Sequence, residues 1–249
     1  MKHKVVIFAP HPDDESITGL LPLRLRQECG IEIWVVPVTT GRNIERRLAR
    51  ARELRSACRI LDFRICFPMP PVAGVASLKE VSAVLKKIRP ELVFLPHARD
   101  GHPTHQAVHW LGVMAMDAAR QKKFQVVETE YWHPLVAPNL LVVAHRKHLQ
   151  TLRRALSCHV GEMVRNDYAA RLPAWMSDNV RRGAELIKGR GATAPKIAYA
   201  TLYRARIRTK GEWQAAFHGG RIINSTEDLQ ALVDFKRAPA IRRKQDRPA

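Results

Sequence analysis

Two short segments of the sequence concentrate carboxylate and imidazole side chains, the groups that bind metals and move protons. The first segment, PHPDDE at residues 10–15, places three consecutive acids in a chain that has only 23. The second segment, PHARDGHPTH at residues 96–105, is followed by His109, so four of the eleven histidines lie within thirteen residues. Three adjacent negative charges repel one another unless a cation or hydrogen-bond donors neutralise them. A bound metal ion would supply that neutralisation.

The spacing of these side chains suits a metal site. His11 and Asp14 are three residues apart at the predicted start of a helix, and His102 and His105 repeat that spacing at another helix start. Two histidines and one carboxylate form a three-ligand set common to catalytic zinc, and the same set suits non-haem iron(II). A purely structural interpretation is also open, because acids in the first turn of a helix are stabilised by the helix dipole.

Both segments follow predicted strands. Short apolar runs rich in branched residues, such as residues 5–9 and 31–38, are typical of strands buried on both faces of a parallel sheet. Further predicted elements are helices at residues 15–29, 45–61 and 78–88 and strands at residues 63–67 and 92–95. This alternation predicts an α/β fold, a Rossmann-like and mostly parallel sheet with helices on both faces. Ligands of such sheets bind beyond the carboxyl ends of the strands, which is where both segments lie.

The pattern weakens in the second half of the chain, after a predicted helix that begins near Pro103. The predicted elements there are strands at residues 126–132 and 140–143 and helices at residues 147–159 and 169–187. Beyond Arg204 the chain becomes basic. Residues 236–249 hold six basic residues, one acid and two prolines, a composition that predicts a flexible tail.

The composition limits the class of protein. With 46% hydrophobic and 26% charged residues, the chain of 249 residues is neither disordered nor fibrous. Its 42 Lys and Arg exceed its 23 Asp and Glu by 19, which favours anionic partners such as nucleic acid, phosphorylated substrates or an acidic membrane surface. The four cysteines form no CxxC pair, which favours a reduced, cytoplasmic setting. Because no apolar run is long enough for a signal peptide or a membrane span, we expect a cytoplasmic protein, with attachment to a membrane surface left open.

The two segments resemble the motifs of the PIG-L (LmbE-like) family of metal-dependent N-acetylglucosaminyl deacetylases. The family's HPDDE motif is present at residues 11–15, and its Asp-x-His-Pro-Asp-His motif is similar to residues 100–105, with Thr104 in place of the second aspartate. Weaker similarities lie at Thr40-Gly41, Arg50 with Glu53, Tyr131-Trp132 and His159. The resemblance covers residues 1–205, which implies a deacetylase domain there and a basic, partly flexible C-terminal extension at 206–249.

The resemblance implies a role for each residue of the two motifs. His11, Asp14 and His105 would bind the divalent metal, usually zinc, with iron(II) or another divalent metal as the alternative. Asp13 would be the general base that takes a proton from a metal-activated water. His102 would stabilise the oxyanion or protonate the leaving amine.

Four further residues would support the site. By resemblance, Arg50 would contact the substrate through its fork of donors. Asp100 is the candidate to replace the missing family aspartate, which commonly orients the catalytic histidine. Glu15 completes the first motif, and His159 lies where the family often has His-x-Ser-Gln, although the Ser-Gln pair is absent here.

These inferences predict a zinc-dependent amidohydrolase, acting on linear amides, that removes acetyl from an N-acetylated amino sugar of the N-acetylglucosamine type. The positive charge predicts in addition that the substrate or its carrier is anionic, for example phosphate-linked or lipid-linked. Two alternatives stay open. One is a basic protein that binds nucleic acid or acidic lipid and has a vestigial metal site, although the sequence shows no helix-turn-helix, zinc knuckle or aromatic-and-basic stacking motif. The other is an amide hydrolase with a non-sugar substrate.

Overall fold

The computed structural model describes residues 3–119, 121, 123–209 and 211–233. Within these residues the protein forms an α/β fold around a sheet of nine strands. The first five strands are parallel: β1 (Lys4–Ala9), β2 (Glu32–Pro37), β3 (Arg64–Ile65), β4 (Leu92–Pro96) and β5 (Lys123–Thr129). The predicted α/β fold with a mostly parallel sheet is therefore confirmed.

The second half of the chain completes the sheet. Its strands are β6 (Leu140–Ala144), β7 (Tyr199–Thr209), β8 (Glu212–Ala215) and β9 (Arg221–Ile223). The strand order is β3-β2-β1-β4-β5-β7-β6-β9, with β8 paired to β7. β7 runs antiparallel to both β5 and β6, whereas β9 is parallel to β6. The sheet is therefore parallel in its first half and mixed in its second.

Helices cover both faces of this sheet. They are α1 (Asp14–Ile17), α2 (Leu20–Cys29), α3 (Arg47–Leu61), α4 (Leu78–Ile88), α5 (Pro103–Asp117), α6 (Arg146–Leu156), α7 (Val160–Arg165), α8 (Tyr168–Lys188) and α9 (Thr226–Val233), with a short 3₁₀ helix at Pro71–Ala73. Val5 and Ile7 of β1 pack in one core with α2, α3 and α6, while Val6 and Phe8 pack in a second core with α4 and α5. Because successive side chains of a strand point to opposite faces, both faces of β1 are apolar.

The predicted helix at residues 15–29 is divided into two. The backbone breaks at Thr18 and Gly19, where an added Cβ at Gly19 would lie 2.1 Å from the carbonyl oxygen of Glu15. The Tyr203 hydroxyl donates a hydrogen bond to the carbonyl oxygen of Thr18 at 2.6 Å and accepts one from the Leu21 N–H at 3.1 Å. A buried tyrosine of β7 thus satisfies the backbone groups that the break leaves free.

β7 extends across the predicted domain boundary between residues 205 and 206. Its arginines Arg204, Arg206 and Arg208 alternate with apolar residues, and the strand pairs with β5 from Lys123 to Thr129. The residues predicted to form the flexible tail, 236–249, lie outside the described residues. No helix in the described part of the chain is both long and apolar enough to cross a membrane.

A buried polar cluster joins α2 to α6. The Arg24 side chain is almost completely buried, donates hydrogen bonds to three main-chain oxygens and pairs with Glu28 at 2.7 Å. His148 is buried beside this pair, with Nδ1 accepting a hydrogen bond from the His145 N–H at 3.2 Å and Nε2 at 3.4 Å from Glu28. Burial and the positive charge of Arg24 lower the pKa of His148 from 6.5 to about 4. The folded protein therefore holds this imidazole neutral above about pH 4.

We expect His148 to make the protein less stable as the pH falls from 6.5 towards 4. In that window the unfolded chain takes up a proton at this residue and the folded chain does not, so protonation favours unfolding. Between pH 7 and pH 5 the loss is about 2 kcal/mol at 1.36 kcal/mol per pKa unit. In urea unfolding at both pH values, His148→Gln should remove most of this loss, while His218→Gln, at an exposed histidine, should not. Equal pH dependence in wild type and His148→Gln would contradict the assignment.

Candidate metal and catalytic site

The two polar segments meet because their strands are neighbours. β1 and β4 pair in parallel, with Val5 opposite Leu92 and Ile7 opposite Phe94. The chain therefore leaves both strands at the same edge of the sheet. The loop after β1 enters α1 and the loop after β4 enters α5, so both segments end at a helix N-terminus, as the sequence predicted.

Three side chains at this edge converge on one point. Asp14 Oδ2 lies 3.5 Å from His11 Nδ1 and 3.6 Å from His105 Nε2. One potential ligand atom from each of these three residues lies within 4.8 Å of the other two. His105 Nε2 is buried and has no hydrogen-bond partner in the described part of the chain, although it faces a carboxylate. A buried nitrogen without a partner, two imidazoles and one carboxylate fit a divalent metal such as zinc or iron(II).

Asp100 organises the second segment from a completely buried position. Its Oδ2 lies 3.4 Å from His105 Nδ1, and its carboxylate accepts hydrogen bonds from the N–H groups of His102 at 2.9 Å and Trp132 at 3.3 Å. The Asp100 carboxylate thus lies beside Nδ1 of His105, the ring nitrogen that faces away from the potential metal site. A carboxylate in this position fixes the ring orientation of a metal-binding histidine. Among the described residues, the hydrogen bond between Asp100 and His102 involves the backbone N–H of His102 and not its ring. The replacement of the missing family aspartate by Asp100 stays a prediction.

His102 is instead oriented by the backbone at the start of α5. Its Nδ1 accepts a hydrogen bond from the Thr104 N–H at 3.1 Å, so His102 is the N-cap of the helix. Burial and the neighbouring imidazoles of His11 and His105 lower the pKa of His102 below its ordinary value. Because Nδ1 is an acceptor, the proton of the neutral ring lies on Nε2. Of the two roles that the resemblance allows, this arrangement favours hydrogen-bond donation to an oxyanion.

The pKa values of the adjacent carboxylates Asp13 and Asp14 are shifted in opposite directions. Burial and the charge of Asp14 raise the pKa of Asp13 well above its ordinary value, although Arg50 at 3.9 Å opposes the shift. Burial alone would raise the pKa of Asp14 too, but His105 and His11 lower it below its ordinary value. Paired groups whose environments separate their pKa values are typical of acid–base sites. Asp14 is thus suited to remain ionised, and Asp13 to accept a proton.

Arg50, on α3, stabilises the main chain of the first segment. Its Nη2 donates a hydrogen bond to the Pro12 carbonyl oxygen at 3.1 Å and lies 3.4 Å from Glu162 Oε1. The guanidinium occupies the space beside Gly41, where an added Cβ would be 2.6 Å from Nη1. Glu162 is not predicted as a site residue from the sequence. Its ion pair with Arg50 joins α7 to α3, and no local sequence pattern connects these two helices. Arg50 lines the cleft, and some of its donors are already engaged by the protein.

Glu15 and His159 form a buried pair behind the site. Glu15 Oε1 accepts a hydrogen bond from the Ser16 hydroxyl at 2.6 Å and lies 2.9 Å from His159 Nε2. Glu15 Oε2 accepts the Asp13 N–H at 2.9 Å. Both side chains of the pair are completely buried. The pair therefore holds the main chain at Asp13 and lies outside the group of potential metal ligands.

A cleft of about 880 Å³ opens above these residues. His11, Asp13 and His102 line it, as do Tyr131 and Trp132 of the loop after β5. The Tyr131 ring lies 5.0 Å from the His105 ring, and the Trp132 ring stacks on His102 at 6.0 Å with an interplanar angle of 30°. The volume lies within the range of small-molecule sites, roughly 300–1,000 Å³. The lining residues include arginines, namely Arg42, Arg46, Arg47, Arg50 and Arg165.

The comparisons with known proteins agree with this geometry. Residues 6–116 match the PIG-L family, described as GlcNAc-PI de-N-acetylase, and both motifs fall within the matched range. The resemblance seen in the sequence is therefore confirmed over that segment. No curated protein sequence matches the chain at a significant level.

Solved structures share the fold over most of the chain. The conserved protein TT1542 from Thermus thermophilus is 24% identical, with a TM-score of 0.62 over 82% of this chain and 94% of that chain. The N,N'-diacetylchitobiose deacetylase from Pyrococcus horikoshii is 17% identical, with a TM-score of 0.60 over 81% and 83%. GalB, the 4-carboxy-2-hydroxymuconate hydratase from Pseudomonas putida, is 19% identical, with a TM-score of 0.62 over 82% and 96%. Because the deacetylase and the hydratase share this fold but catalyse different reactions, the fold alone does not assign a reaction.

We expect the protein to bind one divalent metal through His11, Asp14 and His105. Asp100→Asn should weaken metal affinity by roughly 10- to 100-fold, because it removes the carboxylate charge behind His105 Nδ1. His105→Ala removes a direct ligand and should weaken the affinity further. Competition with a chromophoric chelator would measure both effects, with His218→Gln, at an exposed histidine, as the control. Unchanged affinity in His105→Ala would exclude the proposed ligand set.

The buried pair of Glu15 and His159 should contribute measurably to stability. His159→Phe leaves the Glu15 carboxylate without its imidazole partner, and we expect the free energy of unfolding to fall by about 1.5–3 kcal/mol, the range for hydrogen bonds to charged groups. A double-mutant cycle with Glu15→Gln, followed by urea unfolding, isolates the contribution of the contact. Additive effects of the two substitutions would show that the residues act independently.

Proposed function

We propose that the protein is a metal-dependent N-deacetylase that hydrolyses the acetamide of an N-acetylated amino sugar, releasing acetate and a free amine. The observation that carries the proposal is the position of Asp13, a carboxylate with a raised pKa, next to the converging His11, Asp14 and His105 at one side of a large cleft. The PIG-L match over residues 6–116 and the fold shared with a chitobiose deacetylase support it.

The chain's own residues supply the proton transfers. A divalent metal bound by the three ligands would supply Lewis acidity, which lowers the pKa of water and polarises a carbonyl. Asp13 then accepts a proton from the attacking water, which adds to the acetamide carbon. His102 donates a hydrogen bond from its Nε2–H to the carbonyl oxygen as negative charge develops there, and it keeps its proton. When the C–N bond breaks, the protonated Asp13 returns its proton to the leaving amine.

The residues that line the cleft also support the proposed class of substrate. Trp132 and Tyr131 offer flat apolar surfaces, and the exposed Arg42 offers a positive charge near the opening. A sugar with an anionic substituent, such as a phosphate, would be complementary to this combination. The direct contact of Arg50 with the substrate stays a prediction, as do zinc as the metal and the cytoplasmic location.

The experiment is acetate release by protein reconstituted with zinc or iron(II). The substrates are N-acetylglucosamine, its 1-phosphate and an N-acetylated amine without a sugar. Preference for the sugars would support the proposal, and preference for the phosphorylated sugar would support the anionic carrier. Release only from the non-sugar amine would favour the broader amide hydrolase. No release from any substrate, together with salt-sensitive nucleic-acid binding that is independent of metal, would favour the binding protein with a vestigial site.

Asp13→Asn should abolish most of the activity while leaving the metal in place. The amide keeps the size of the side chain but cannot accept the proton, so we expect kcat to fall by roughly 10²- to 10⁴-fold. Metal content, measured on the same samples, should be unchanged because Asp13 is not among the proposed ligands. Glu45→Gln, at an exposed acid, serves as the matched control. Full activity in Asp13→Asn would refute its role as the base.

A further inference from the structure

Apolar side chains are exposed around the opening of the cleft, where a solvated surface would be expected to be polar. They belong to three segments: Ile44 before α3, Val72 and Val75 at the 3₁₀ helix, and Val160 and Val164 on α7. Val164 is 85% exposed and Ile44 is 71% exposed. We call these five residues the mouth rim. Single exposed apolar residues need no explanation, but a group of them beside a binding cleft indicates an interaction surface.

The three segments are held together by arginines of α3 and its preceding loop. Arg47 donates hydrogen bonds to the carbonyl oxygens of Gly41 at 3.1 Å and Val72 at 2.7 Å, which joins the first segment to the second. The guanidinium of Arg46 packs against Gly161, where an added Cβ would be 2.1 Å from Nη2, and this contact joins the first segment to α7. These contacts of Arg46 and Arg47 connect the three segments that carry the mouth rim.

Positive charge is interspersed with these apolar side chains. Arg42 is exposed and takes part in no ion pair among the described residues. The Arg165 side chain is 69% exposed even though it pairs with Glu162. The Arg46 side chain is 41% exposed even though it pairs with Glu53. Arginines therefore remain available to anions at the same surface as the valines and isoleucine.

We propose that the mouth rim docks on an anionic phospholipid bilayer, so that the cleft opens onto the membrane surface. Aliphatic side chains can enter the boundary between headgroups and acyl chains while arginines contact the phosphates. Nucleic acid offers no comparable site for exposed valines. A symmetric contact between two copies would bring the arginines of both copies together at one interface. The combination of aliphatic and cationic side chains thus matches a bilayer best.

The experiment is co-sedimentation of the 249-residue chain with vesicles. This measurement needs no catalysis, so docking and deacetylation can fail separately. Vesicles of phosphatidylcholine with about one-third phosphatidylglycerol should bind the protein, and vesicles of pure phosphatidylcholine should bind it far less. Arg42→Gln should weaken the binding by roughly fivefold, the effect of one arginine near an anionic surface. The double variant Val160→Ser/Val164→Ser should weaken it by roughly tenfold or more.

Matched controls separate docking from general attraction by a basic protein. Arg59→Gln removes the same charge from an exposed position near the far end of α3, and Leu186→Ser removes an exposed apolar side chain from α8. Both controls should bind anionic vesicles like the wild type. Equal weakening by the controls and the rim variants would overturn the proposal, as would a lack of binding to anionic vesicles. A change of oligomeric state in the valine variants without any change in vesicle binding would also overturn it, in favour of a contact between copies.

Discussion

The burial of three consecutive carboxylates at the end of β1 is the constraint on which the site depends. Asp13, Asp14 and Glu15 are each at most 5% exposed, and burying even one unpaired carboxylate is strongly unfavourable. Each acid has a different distant partner, namely Arg50 for Asp13, His105 for Asp14 and His159 for Glu15. The folding of distant elements onto this segment is therefore coupled to the neutralisation of its charges.

The three carboxylates are compensated to different degrees by their partners. This difference separates their protonation behaviour, which an acid–base site requires. Both carboxylate oxygens of Glu15 take part in hydrogen bonds, while Asp14 faces two imidazoles. Within the described residues, the Asp13 carboxylate has one ion-pair partner, the Arg50 guanidinium at 3.9 Å. The Asp13 backbone also has a φ of 128°, a conformation that costs a non-glycine residue of order 1–3 kcal/mol. The least compensated and most strained residue of the three is thus the one proposed to carry the proton, which is consistent with strain being retained where function requires it.

The sequence predicts the parts of this arrangement that are set by local patterns. The apolar strands and the histidines that follow them are local, so the meeting of His11 with His105 follows from the parallel pairing of β1 and β4. The pair of Glu15 and His159 joins residues 144 positions apart, and no periodicity connects them. The sequence does not predict strand β7, for a different reason. Its alternating arginines resemble a basic linker until the pairing with β5 shows that one face of the strand is buried.

The net charge of +19 and the acidic site act at different distances. Inside the cleft, short contacts decide the protonation of each acid, and Arg50 is the cation that faces Asp13. Exposed arginines farther out are separated from the buried acids by more solvent, and physiological salt screens charges beyond about 8 Å. The surplus of positive charge therefore has little influence on the proton transfers themselves. Its effect falls on encounters at the surface, where an anionic substrate or bilayer would first meet the protein.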